Sequence, residues 1–120
     1  MKSDLPYLGH IADSIAAIER YTSAGREAFM LQSIVQDAVV RQFEIIGEAA
    51  GRLSPETRNR STLPWAKIVA FRNRLIHAYW SVDLRLVWSV VQNELPPLKA
   101  EVRRLRSELS SSIPKPRDQI

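Results

Sequence analysis

Apolar residues recur every three or four positions along almost the whole of this chain and nowhere alternate for long. That spacing gathers side chains on one face of an α-helix, whereas a half-buried strand needs a period of two. Leu5, Leu8, Ile11, Ile15, Ile18 and Tyr21 form the first such stripe, and Thr22, Ser23 and Gly25 then mark a turn. A second, long helix is expected from about Glu27 to Leu53, with Leu31, Ile34, Val35, Val39, Phe43, Ile46 and Ala50 on its apolar face. Gly47 lies inside it, at a cost of about 1 kcal/mol relative to alanine. The expected reason is close approach of a second helix, helped by Ala49 and Ala50.

The punctuation after that segment is equally readable. Ser54-Pro55-Glu56 has the form of a cap, a proline at the first helical position and an acid in the first turn. Pro64 opens another helix, expected to run through Trp65, Ile68, Val69, Arg72, Leu75, Ile76 and Tyr79. Asp83 caps a helix displaying Leu84, Val87, Trp88 and Val91, which Pro96-Pro97 must kink or interrupt. A last helix carries Leu98, Val102, Leu105 and Leu109, with Arg103, Arg104 and Arg106 turned outward. Five or six helices joined by short links predict an all-α antiparallel bundle over residues 1–109. Residues 110–120, rich in serine, proline and polar groups, are expected to form a disordered tail.

Composition narrows the function classes. With 45% hydrophobic and 25% charged residues in 120, the chain suits one folded domain rather than a disordered segment. The absence of cysteine excludes disulfides and thiolate metal sites. No apolar run approaches the ~18 residues of a membrane span, and the first residues lack the apolar stretch of a secretory signal. A cytoplasmic protein is expected. Net charge is +4, and arginine outnumbers lysine thirteen to four. Arginine forks onto phosphate better than lysine does. The balance permits a nucleic-acid partner and equally fits a solvated, arginine-rich surface.

Only Phe71-Arg72-Asn73-Arg74-Leu75-Ile76-His77-Ala78-Tyr79-Trp80 stands out chemically. On an ideal helix Arg72 and Tyr79 fall within about 20° of each other, on the apolar side with Ile68, Val69 and Ile76. A guanidinium in an apolar stripe is costly unless an anion or a hydrogen-bonding group meets it. His77 lies about 140° from Arg72 around the same helix, so one straight helix does not aim both at a single phosphate. A local helix break, or a symmetric dimer pooling residues of two chains, would bring them together, and the dimer is the preferred solution. Asn73, four residues before His77, is placed to hydrogen-bond the imidazole and fix its tautomer, or is an ordinary surface asparagine. Arg72 pairing with Glu44 or Glu48 as a structural bridge, and Tyr79 as a core aromatic, are open alternatives. Trp65, Trp80 and Trp88 read as core or interface anchors, and His10 as structural. A di-metal carboxylate helix motif, a phosphate-binding glycine loop, a zinc constellation and a nucleophile elbow are all missing from the sequence. No cofactor or metal is expected.

The stretch resembles the HEPN superfamily, whose hallmark is an arginine followed after four to six residues by a histidine. Arg72, four intervening residues and His77 fit that pattern. The longer form Arg-Asn-x-Leu-x-His-x-Tyr is similar to the HepT branch, with Arg72, Asn73, Leu75, His77 and Tyr79 matching position by position. Ile46-Gly47-Glu48-Ala49, Pro64-Trp65, Val87-Trp88 and Leu95-Pro96-Pro97-Leu98 extend the likeness over most of the chain.

The resemblance implies a homodimeric helical bundle and a toxin acting as a metal-independent endoribonuclease on RNA, with catalytic Arg72 and His77 and supporting Asn73. It implies as partner a minimal nucleotidyltransferase antitoxin of the MntA type, which transfers AMP onto Tyr79 and silences the toxin. Histidine as a residue type titrates near neutral pH and suits proton transfer, and arginine suits charge on a phosphorane. The alternative is a non-catalytic module that binds a nucleotide or docks the nucleotidyltransferase.

Overall fold

The computed structural model describes residues 3–78 and 81–111. Among them are seven helices and no strand: α1 (Leu5–Tyr21), α2 (Arg26–Leu31), α3 (Ser33–Gly51), α4 (Pro55–Asn59), α5 (Trp65–His77), α6 (Leu84–Asn93) and α7 (Leu95–Ser111). The all-α bundle expected from the periodicity is observed. None of the described helices is long and apolar enough to cross a membrane.

The central element is α3, which packs against α1 on one side and α5 on the other, while α1 also meets α7 and α7 carries α6. The middle of the stripe read on α1 enters the core, with Leu8, Ile11 and Ile18 fully buried, whereas Leu5 at its start is half-buried and Tyr21 at its end is 39% exposed. Val39, Phe43, Ile46 and Ala50 of α3 face it, joined by Val87, Val102 and Leu105 from the last two helices. Burying one such aliphatic side chain contributes roughly 1.5–3 kcal/mol, so these shared contacts stabilise the bundle. Trp65 and Trp88 are core residues as expected, and Phe29 of α2 lies 5.4 Å from the Trp88 ring. Trp80 lies outside the described residues.

The single helix expected from Glu27 to Leu53 is two helices. Gln32 is extended, with φ −115° and ψ 101°, and separates α2 from α3. The Gln36 amide donates to the Phe29 carbonyl oxygen at 2.8 Å, satisfying an acceptor that the end of α2 leaves open. The break turns Leu31 and Ile34 outward, each 83% exposed, although both fit the apolar stripe of a continuous helix. Gly25, with φ +94°, makes the turn into α2 in a conformation that glycine adopts without strain.

The remaining boundaries follow the punctuation. Ser54 Oγ accepts from the Thr57 amide at the start of α4, and the Asp83 carboxylate accepts from the Arg85 and Leu86 amides at the start of α6. Each is a standard N-cap. Pro96 and Pro97 sit in the first turn of α7, where missing amides are harmless, so they separate α6 from α7 and kink neither. The helix read through Tyr79 ends at His77, with Ala78 as its cap at φ −114° and ψ 34°. Ser110 and Ser111, read as the start of a tail, belong to α7; the rest of that stretch, 112–120, lies outside the described residues.

One polar cluster locks the start of α1 to α4. Asp4 is buried, and its Oδ2 accepts from the Ser54 amide (3.0 Å), Ser54 Oγ (2.6 Å) and Thr57 Oγ1 (2.5 Å). Burial pushes the Asp4 carboxyl up, but the bonds from Ser54 and Thr57 outweigh it and hold it below its ordinary value of 3.8. A carboxyl depressed on folding stabilises the protein above its unfolded pKa, and that stabilisation is lost as pH falls through the folded value. Asp4→Asn is therefore expected to cost about 2 kcal/mol at neutral pH. In urea denaturation its deficit relative to wild type should shrink as the buffer is taken below about pH 4.

Candidate active site

The site is organised by the crossing of α3 and α5. A Cβ at Gly47 would stand 2.1 Å from the Arg72 Cβ and 2.7 Å from its Cγ. These atoms form the root of the side chain, which cannot swing aside. The glycine expected to admit a second helix thus admits Arg72 itself. Sequence reading identified the close approach without identifying what approaches.

From that root the guanidinium emerges at the edge of the helix pair, with its side chain 30% exposed. Its Nη2 donates to Glu48 Oε2 at 2.8 Å, and its Nη1 donates to Asn73 Oδ1 at 2.8 Å. Glu48, one of the two carboxylates considered from the sequence, is therefore the anion that meets this arginine. Its other oxygen, Oε1, accepts from Arg52 Nε and Nη2 at 3.2 and 3.1 Å. One carboxylate is thus held between two guanidinium groups. The hydrogen bond to Glu48, with the Tyr7 hydroxyl as a lesser contributor, raises the Arg52 pKa above its already high ordinary value. Arg72 Nε is buried and finds no acceptor among the described residues.

Arg72 opens onto a groove of about 440 Å³ running along α3 between α1 and α5. Arg41, Glu44 and Glu48 of α3 and its C-cap residue Arg52 succeed one another at steps of three and four, so all four face it. Ile45 and Ala49 form the floor, Tyr7 and His10 of α1 one wall, and Arg72 and Ile76 of α5 the other. Arg72 and Ile76 are one turn apart and share this side, as the helical projection required. Both lie at the groove rather than in the core, where Trp65 and Leu75 represent α5.

His77 is the last residue of α5 and is exposed. It is not among the residues lining the Arg72 groove. The described residues of one chain therefore place Arg72 and His77 on a continuous α-helix, on different sides, as the 140° projection anticipates. Asn73, also exposed, accepts from Arg72, so its described hydrogen bond is to the arginine rather than to the imidazole for which it was read. Tyr79, the residue read as a modification site, lies outside the described residues.

His10, read as structural from the sequence, is exposed and lines the groove, with its ring 6.4 Å from that of Tyr7 in an edge-on arrangement. The only signal in the sequence was its position three residues after Tyr7, off the Leu8–Ile11–Ile15 stripe.

A family model described as "Ribonuclease HepT-like" matches residues 11–105, which include the whole described Arg72–Ala78 segment. Among characterised sequences, the chain is 41% identical over 115 residues to a "Gamma-glutamylcyclotransferase and putative RNase" of Methanocaldococcus jannaschii. That alignment covers 93% of this chain and 52% of the relative, so the chain spans about half the length of that protein. It is 37% identical over 107 residues to a "Probable ribonuclease HepT" of Thermococcus cleftensis, covering 88% of this chain and 97% of the relative. A "Putative RNase" of Caldanaerobacter subterraneus is also 37% identical over 107 residues, with 88% and 96% covered. No solved structure matches the chain.

The fit of Gly47 to Arg72 can be tested directly. Gly47→Ala should destabilise the fold by about 1–3 kcal/mol through overpacking, despite a helix-propensity gain of about 1 kcal/mol. Thermal or urea unfolding measures the outcome, and a variant more stable than wild type would show that the two helices do not meet there.

Proposed function

Given that the chain belongs to the HepT-like ribonuclease family, we propose that it is a metal-independent endoribonuclease and the toxin of a toxin–antitoxin pair. The observation that carries this reading is Arg72, seated against Gly47 and presented to an open groove, with an exposed His77 five residues later on the same helix.

The chemistry follows from the substrate. The 2′-oxygen of one ribose attacks the adjacent phosphorus, and the bond from phosphorus to the 5′-oxygen of the next nucleotide breaks. The products are a 2′,3′-cyclic phosphate and a free 5′-hydroxyl. One imidazole accepts the 2′-hydroxyl proton, and a second, protonated imidazole delivers a proton to the leaving 5′-oxygen. Arg72 stabilises the charge on the phosphorane oxygens, a contribution of about 3–4 kcal/mol for a well-placed donor. The carboxylate of Glu48 holds that guanidinium until phosphate displaces it. Because each chain supplies one His77, and Arg72 and His77 face different ways on α5, a homodimer joining two α5 termini provides both imidazoles. DNA lacks the attacking hydroxyl and is not a substrate.

Silencing by AMP transfer onto Tyr79, catalysed by a nucleotidyltransferase antitoxin of the MntA type, completes the proposal. An adenylyl group on Tyr79 adds bulk and an anionic phosphate that competes with RNA for arginine.

Purified protein should cut single-stranded RNA, leaving cyclic phosphate ends, without added divalent metal. Arg72→Ala and His77→Ala should each lower kcat/KM by at least about 100-fold while circular dichroism stays helical. Full cleavage by His77→Ala would remove the histidine from the mechanism. Incubation with the nucleotidyltransferase and ATP should add AMP to Tyr79, and peptide mass spectrometry locating it on another residue would refute the regulatory assignment.

A further inference from the structure

The imidazole that shares a groove with Arg72 in a single chain is His10, and nothing in the RNA-cleaving reading uses it. Tyr7 and His10 stand one turn apart on α1 with their rings edge-on at 6.4 Å, and His10 is exposed to the groove. Arg41 and Arg52 on the α3 side line the same groove, Arg52 beside the Tyr7 hydroxyl, and Arg72 stands on the far wall. Aromatic rings and guanidinium groups in one groove are the two components with which proteins hold single-stranded nucleic acid: bases stack, phosphates pair.

The arginines are available for this. Arg41 meets Glu44 at 3.3 Å with its side chain 69% exposed, and Arg52 meets Glu48 at 3.1 Å with 60% exposed. Exposed pairs of this kind contribute little on their own, whereas a phosphate offers a guanidinium two charge-assisted bonds. From Arg41 to Arg52 the groove follows about 16 Å of α3, enough for more than one nucleotide. Glu44 and Glu48 pair with these arginines in the free chain, and a phosphate must compete with them for the guanidinium groups.

We propose that the α1–α3–α5 groove is a nucleotide-holding subsite for single-stranded RNA, in which a base stacks on the exposed His10 ring, set edge-on against Tyr7, while flanking phosphates bind Arg41 and Arg52. His10 is here a stacking residue and does not transfer a proton. The inference rests on the RNA-cleaving reading, and it adds to that reading a residue-level determinant of substrate affinity.

Steady-state cleavage of a short single-stranded RNA oligonucleotide tests it, with Lys99→Ala, remote from the groove, as control. Tyr7→Ala and His10→Ala should each raise KM about fivefold or more with kcat within about twofold of wild type. His10→Phe, which keeps a stacking face and has no titratable nitrogen, should restore KM to near the wild-type value, with an unchanged pH profile. If wild type cleaves RNA and the two alanine variants keep its KM, the subsite is wrong and the nuclease reading stands. If His10→Ala and His10→Phe both lose kcat and alter the pH profile, His10 is a proton-transfer group and the stacking role is overturned. A wild-type protein that neither binds nor cleaves the oligonucleotide overturns both readings.

Discussion

The contact between Gly47 and the root of Arg72 sets how closely α5 approaches α3, and with it the place of Arg72 at the candidate site. Helix α3 already carries α1 on its other side, so the distance at which α5 can approach decides the width of the groove between them. A side chain at position 47 would push α5 away and carry Arg72 with it. With glycine there, the guanidinium reaches Glu48 and Asn73 on either hand and stops at the edge of the groove. Its energetic cost is met by these two partners, although the buried Nε has none among the described residues.

Much of the fold was legible because it depends on local chemistry. The α1 stripe, the Ser54-Pro55 and Asp83 caps and the proline pair in the first turn of α7 are each dictated by residues within one or two turns. The break at Gln32 was not, because Leu31 and Ile34 continue the helical period through it. What stabilises the break is a bond from Gln36 back to Phe29, seven residues away across the kink. A periodicity argument sees the apolar residues and misses the carbonyl that needs a donor.

The site was legible in one dimension and hidden in three. Arg72 announced itself as a charge in an apolar stripe, and Gly47 as a helix-interior glycine, but their meeting is a tertiary fact. Glu48 was named as a partner on the basis of charge alone, and the structure places it between Arg52 and Arg72. His10 was passed over because nothing on α1 marks it. Only the packing of α1 beside α3 turns it toward Arg41, Arg52 and Arg72. The angular separation of Arg72 and His77, a consequence of 3.6 residues per turn, is retained in the described helix. That separation is why the proposed chemistry requires two chains.

That requirement can be isolated by subunit mixing. Differently tagged wild-type and His77→Ala chains are co-expressed and the mixed dimer is purified through both tags. If the two imidazoles of one cleft come from different subunits, the mixed dimer, left with a single His77, loses RNA cleavage by at least about 100-fold, as the His77→Ala homodimer does. A mixed dimer that keeps about half of the wild-type activity would contradict a shared site and, with it, the proposed catalytic mechanism.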